Sequence, residues 1–233
     1  LAFDLSPLWI SLRTALVATV FSVVIGITAA YYVIRLGKIL KGIADGILTL
    51  PMVLPPTVVG FFLLVFFGSN GPAGRFFLNV FNERIVFSWY APIIASTVVA
   101  FPLMYRTMRG AFEQFDTTLI YSGKTLGLSN TYIFLRIILP NCRYGIAAGT
   151  ILSFARGLGE FGATIMLAGN LPGKTTTISV AVYSAMAAGN NALAYRWVLI
   201  DLAISFAVML VMNLLTGGFT GRRRKQPAAK EGV

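Results

Sequence analysis

Five long uncharged or nearly uncharged runs, separated by short polar and basic segments, dominate the hydrophobic pattern of the chain. The first, residues 15–34, lies between Arg13 and Arg35 and holds no charge. The second, 47–67, is equally apolar but contains Pro51, Pro55 and Pro56. The third covers 85–105, with Pro102 near its end. The fourth, 144–168, carries Arg156 and Glu160 inside it, and the fifth, 195–219, has Asp201 close to its start. A helix needs about 20 mostly apolar residues to cross a bilayer, and each run reaches that length. The pattern predicts an all-α polytopic membrane protein with five transmembrane helices. A sixth stretch, 175–194, is uncharged but holds three threonines, Gly189, Asn190 and Asn191. Its hydropathy alone does not decide whether it spans.

Charge decides it. With five spans, Arg35, Lys38 and Lys41, the central group Arg106, Arg109, Lys124, Arg136 and Arg143, and the tail Arg222, Arg223, Arg224, Lys225 and Lys230 all face one side. The opposite side receives only Arg13, Arg75, Arg84, Lys174 and Arg196. A sixth span would put the basic tail and the basic central loop on opposite sides, against the positive-inside rule. The expected topology therefore has its N-terminus outside and its C-terminus in the cytoplasm. Residues 106–143 form a cytoplasmic loop, 220–233 a basic cytoplasmic tail, and 174–194 an external loop or re-entrant helix. Trp9, Trp89 and Trp197 fall near the external interface, where an aromatic belt would hold them.

Composition agrees. Hydrophobic residues make up 57% and charged residues 12% of the 233, with mean hydropathy +0.78, against about 25% charged in a soluble domain. The net charge of +11 belongs to the helix flanks, where anionic headgroups are the default partners, so nucleic-acid binding is not needed to explain it. No histidine is present and Cys142 is the only cysteine. That excludes an intrachain disulfide and histidine acid–base chemistry, and no metal site is expected. No cleavable signal peptide is expected either, because Asp4 stands where a basic segment would precede the first apolar run.

Two features carry candidate chemistry. Arg156 and Glu160, four residues apart, share one face of the fourth span. At membrane depth each costs about 2.5–3.5 kcal/mol on insertion scales, so they should face protein or a watery path. They form either an ion pair that locks helices, or a cation beside an anion path with Glu160 tempering its charge. Gly145, Gly149, Ser153 and Gly157 recur every fourth position as a packing stripe, and Gly159 and Gly162 add a second small face. In the second span Pro51, Pro55 and Pro56 break regular hydrogen bonding. A broken helix at membrane depth must line protein or a cavity. The candidate pathway or gate set is therefore Pro55, Pro56, Arg156, Gly159, Glu160 and Gly162.

The central loop reads as two helices punctuated by glycine. Asp116 or Thr117 caps a segment through Lys124 that stops at Gly127. A second starts near Ser129 or Asn130, carries Ile133, Phe134, Ile137 and Ile138 on an apolar face, and ends at Pro140. Such an element either docks into a partner's groove or lies on the lipid surface. Residues 169–175 imitate a phosphate-binding loop, but with three residues between the glycines where the motif has four.

Gly127, nine residues, then Ile137-Ile138-Leu139-Pro140 resembles the loop of permease subunits of binding-protein-dependent ABC importers. Their pattern is Glu-Ala-Ala, three residues, Gly, nine residues, Ile-x-Leu-Pro; here the opening positions hold Tyr121, Ser122 and Gly123. Leu50-Pro51-Met52-Val53-Leu54-Pro55-Pro56-Thr57-Val58-Val59-Gly60 and Phe154-Ala155-Arg156-Gly157-Leu158-Gly159-Glu160-Phe161-Gly162-Ala163-Thr164 resemble segments of molybdate permeases. Sulfate permeases carry similar versions, typically with tyrosine in place of Phe161. The resemblance implies a homodimeric permease without its own ATPase site, in a prokaryotic cell membrane. It implies a separate nucleotide-binding subunit, holding ATP and Mg, that contacts Tyr121, Ser122, Gly123, Gly127, Ile137, Leu139 and Pro140. It also implies an extracytoplasmic oxyanion-binding protein and no cofactor on this chain. Tungstate, sulfate or thiosulfate are alternative cargoes. An ion-coupled secondary transporter would call for an internal repeat and more intramembrane acids.

Overall fold

In the computed structural model, which describes residues 4–220, the first apolar run is helix α1, Ser6–Val33, entered through Pro7 in its first turn. Its burial is the inverse of a soluble helix. The small residues Ala15, Ala18, Ser22, Gly26 and Ala30 are buried at near-fourfold spacing, while Leu16, Val20, Phe21, Val24 and Ile25 are exposed. Small residues let backbones approach where lipid offers no hydrophobic drive. A Cβ on Gly26 would lie 3.1 Å from the backbone nitrogen of Tyr105, so α1 lies directly on helix α5, Ala91–Glu113.

The second run is not one straight span. Helix α2, Lys38–Val53, and helix α3, Pro56–Phe67, meet at 110°. Leu54 precedes a proline, which pushes it to extended backbone (ψ 144°), and Pro56 restarts the helix in its first turn. Pro51 stays inside α2, so the break belongs to Pro55 and Pro56. Helix α4, Pro72–Phe81, is a short amphipathic segment before α5. The third run turns helical only at Ala91, and α5 extends past the apolar residues to Glu113.

Beyond the central loop the fourth run is again two helices, α9, Arg143–Leu158, and α10, Gly162–Ala168, bent by 59°. The loop itself holds α6, Thr117–Thr125, α7, Asn130–Ile133, a π-helical turn at Phe134–Ile138, and α8, Leu139–Asn141. Within 175–194 lies α11, Ile178–Ala187, whose ten residues rise only about 15 Å, too short to span. It packs on α12, Asn191–Thr220, through Ile178, Ala181 and Trp197. Trp197 is therefore buried, not part of an interfacial belt, whereas Trp9 and Trp89 are exposed. Among the described residues three helices are long and apolar enough to cross a membrane unaided, and the two bent pairs would complete five.

Helix α5 is the spine. Ala91, Ala95 and Val99 pack with Val59 of α3 and Ala163, Leu167 and Ala168 of α10. Towards its C-terminal end, Met104, Tyr105, Met108 and Phe112 join Ala30 and Val33 of α1 to Ile133, Ile138 and Cys142 of the loop. The stripe Gly145, Gly149, Ser153 and Gly157 is used within the chain. A Cβ on Gly145 would meet the Ala111 Cβ at 2.7 Å, and the Ser153 hydroxyl donates to the Ala100 carbonyl at 3.4 Å. The expected basic tail from 221 onward lies outside the described residues.

Candidate functional site

The two helix breaks lie side by side. A Cβ on Gly162, at the start of α10, would fall 2.9 Å from the Pro56 Cβ and 3.0 Å from the Thr57 nitrogen. One turn along α3, a Cβ on Gly60 would fall 2.8 Å from the Ala163 Cα. Only glycine at both positions lets the restarted helices touch. Gly159 differs: a Cβ there would meet nothing nearer than 3.9 Å, at a φ of −86° open to any residue. Of the two glycines of this second small face, Gly162 is the one the packing requires.

Glu160 sits in the break, just past the end of α9. Its Oε1 accepts the Ala163 N–H at 2.8 Å, satisfying a free donor at the start of α10, and its Oε2 pairs with Arg156 at 2.6 Å. The Glu160 side chain is 1% exposed and that of Arg156 is 32% exposed. Arg156 also lines a cleft of about 270 Å³ together with Pro51, Met52, Leu54, Pro56, Val99 and Leu103. Among the described residues no other ion pair reaches Arg156. Pro56, Arg156, Glu160 and Gly162 thus converge; Pro55 forms the turn beside them without lining the cleft. The chemistry available is recognition, since one partly exposed cation is backed by one buried anion in an apolar wall.

The loop is built from its caps. Asp116 accepts the Thr118 N–H at 2.9 Å to start α6, and hydrogen bonds from the Thr118 hydroxyl and backbone hold its carboxyl below the ordinary value. At the far end Gly127 N–H donates to Lys124 at 2.9 Å and Leu128 N–H to Gly123 at 3.1 Å. These are the paired bonds of a helix terminus with a left-handed residue, here Gly127 at φ +73°. Ser129 then accepts the Tyr132 N–H to open α7. Pro140 does not end the segment. The backbone widens into a π-helical turn before it, and the Asn141 side-chain amide donates to the Ile137 carbonyl at 2.7 Å.

The expected exposed apolar face is turned inward. Ile133 and Ile138 are buried, and Phe134 packs on Tyr31 at 4.2 Å between centroids. Gly123 is buried beneath Ile133 and Ile137, where a Cβ would meet them at 3.2–3.4 Å. Of the expected contact residues, Tyr121, Ser122, Gly127 and Pro140 face outward, Ile137 and Leu139 are half-buried and Gly123 is covered. Periodicity found the face but not its partner, which is the chain's own α1 and α5. Sequence reasoning also missed a polar seam between α2 and α5. Lys41 pairs with Glu113 at 2.5 Å, Arg109 with Glu113 at 3.1 Å and with Asp45, and Tyr105 donates to Asp45. The four-residue spacings Lys41–Asp45 and Arg109–Glu113 were the available signal.

Residues 22–221 match the family described as binding-protein-dependent transport system inner membrane component. The chain belongs to this family. Among its relatives, the putative molybdenum transport system permease protein YvgM of Bacillus subtilis is 40% identical over 89% of the chain and 92% of its own length. The molybdenum transport system permease protein ModB of Escherichia coli is 39% identical over 88% and 90%. The sulfate transport system permease protein CysT of Salmonella typhimurium is 30% identical over 92% and 76%. Among solved structures, an inward-facing MetNI methionine ABC transporter shares the fold with TM-score 0.70 at 16% identity, covering 91% of this chain and 94% of that one. A bacterial ABC transporter for alginate does so with TM-score 0.68 at 17% identity, covering 91% and 79%.

This multi-pass inner membrane component carries two further polar features outside the helix breaks. The loop that imitates a phosphate cradle spends its donors on itself. Leu171 N–H donates to the Thr175 hydroxyl at 3.0 Å, and Lys174 and Thr175 N–H both donate to the Leu171 carbonyl. Asp201, near the start of α12, makes no ion pair among the described residues. Among the described residues no group of metal-binding side chains is present.

Proposed function

We propose that this chain is the membrane-spanning permease subunit of an ATP-driven importer for molybdate. The observation that carries the reading is its close likeness, near 40% identity over almost the whole chain, to molybdenum permeases, against 30% to a sulfate permease. In this reading the N-terminus is outside and the loop between α5 and α9 is cytoplasmic. A separate subunit binds ATP and Mg and docks on that loop. An extracytoplasmic binding protein delivers the anion, and two copies of the chain enclose the path. The permease does no covalent chemistry and holds no cofactor.

The juxtaposed breaks supply the path. Prolines and glycines at the α2–α3 and α9–α10 bends leave backbone that need not stay in one geometry, as alternating access requires. Arg156 offers a tetrahedral dianion a cation, and Glu160 returns its net charge to zero so that the anion leaves as readily as it enters. Burial and the Ala163 cap make Glu160 a positioning residue, and Arg156 the group that touches the anion. Molybdate-dependent growth tests the reading. A bacterial strain lacking its own permease receives this chain with its ATPase and binding protein. Recovery of molybdoenzyme activity at trace molybdate is expected. Recovery of sulfate assimilation without molybdoenzyme activity would transfer the cargo to sulfate or thiosulfate.

A further inference from the structure

The outward face of the central loop has an unusual charge. No aspartate or glutamate occurs between Asp116 and Glu160, and Asp116 is engaged as a helix cap. At the position where the resemblance places a glutamate, Tyr121 stands 65% exposed. Its sequence neighbour Ile120 helps line a notch of about 260 Å³, together with Arg35, Lys124, Asn130, Ile133 and Ile138. Arg35 is held there by the Tyr31 ring, 3.6 Å beneath its guanidinium. Among the described residues neither Arg35 nor Lys124 forms an ion pair.

We infer that the notch receives a carboxylate of the ATPase subunit, so that docking here pairs a basic permease with an acidic partner surface. The inference rests on the importer reading above. Two cations and a side-chain amide converge on one concavity, and bringing a cationic partner surface against them would cost affinity through like-charge contact. Tyr121, on the same helix as Ile120 and Lys124, and Leu126, at that helix's end, are exposed and offer the aromatic and apolar contacts such an interface favours. A lipid headgroup fits less well. Helix α6 turns Ile120 and Gly123 inward and shows Leu119, Tyr121, Ser122, Lys124 and Thr125, too little apolar area to seat a helix in the bilayer interface.

The test is the affinity of the ATPase subunit for this chain in nanodiscs of neutral lipid, measured at rising salt. Arg35→Gln and Lys124→Gln each weaken binding about tenfold and flatten its salt dependence, whereas Lys124→Arg retains it. Tyr121→Glu, which installs the acid of the resembling loops, weakens binding as well. All three positions are exposed, and an unchanged thermal midpoint shows that each variant folds. Tightening by Tyr121→Glu overturns the inference, as do both glutamine variants binding within about twofold of the unsubstituted chain. Charge sensitivity seen only when the nanodiscs contain anionic lipid overturns it in favour of headgroup binding. Failure of the unsubstituted chain to bind the ATPase at all overturns the importer reading and the inference with it.

Discussion

Removing either member of the Arg156–Glu160 pair does different damage, because the two sites are unequally wet. In Arg156→Gln the carboxylate of Glu160 keeps its Ala163 bond but loses the cation it pairs with, while its side chain remains 1% exposed. Stranding a buried charge costs about 3–5 kcal/mol. In Glu160→Gln the amide oxygen can still accept from Ala163, and the 32% exposed guanidinium can take water from the cleft. A partly screened pair is worth about 1 kcal/mol. The double variant has neither charge to strand and should lie near Glu160→Gln. For a chain of this size about 1 kcal/mol moves the thermal midpoint by about 2–4 °C. The midpoint of detergent-purified protein should therefore fall by about 10 °C in Arg156→Gln, and by only about 3 °C in the other two. Equal losses in the single variants, or a double variant as unstable as Arg156→Gln, would refute the argument from burial. Transport separates locking from contact: if Arg156 meets the anion, the double variant folds and assembles but does not import.

Other perturbations have equally direct readouts. Gly162→Val or Gly60→Val forces α3 and α10 apart against backbone and a proline ring, costing about 1–3 kcal/mol by overpacking, and uptake should be lost before the fold is. Gly159→Ala meets nothing nearer than 3.9 Å and should leave both unchanged. Gly127→Ala has room for its Cβ but must hold a φ of +73°, costing about 1–2 kcal/mol. It should uncouple ATP hydrolysis from transport in reconstituted complexes without altering the transmembrane core's thermal midpoint.

What was legible in the residues depended on how local the cause was. The caps at Asp116 and Gly127 and the breaks at Pro55–Pro56 are short-range chemistry, readable from a few neighbours. Glu160 was placed correctly beside Arg156, yet as a helical pair; that the helix ends at Leu158 and the carboxylate caps the next one depends on a bend no spacing announces. The face of Ile133 and Ile138 was recognised as apolar, but the choice between a partner, lipid and the chain's own α1 and α5 is a tertiary fact. Trp197 was misread for the same reason, because α11 covers it. The α1 stripe from Ala15 to Ala30 has the same near-fourfold spacing as the stripe in α9 and carries the pairing of α1 with α5. The α2–α5 ion pairs join residues about 70 apart in sequence, beyond the reach of periodicity.

The central claim is met most directly by reconstituting this chain with its ATPase and binding protein in proteoliposomes and measuring uptake of labelled molybdate. The account predicts accumulation that needs ATP and the binding protein, stops when the ATPase is omitted, and resists excess sulfate. Accumulation driven by an ion gradient without ATP, or abolished equally by sulfate, would contradict it.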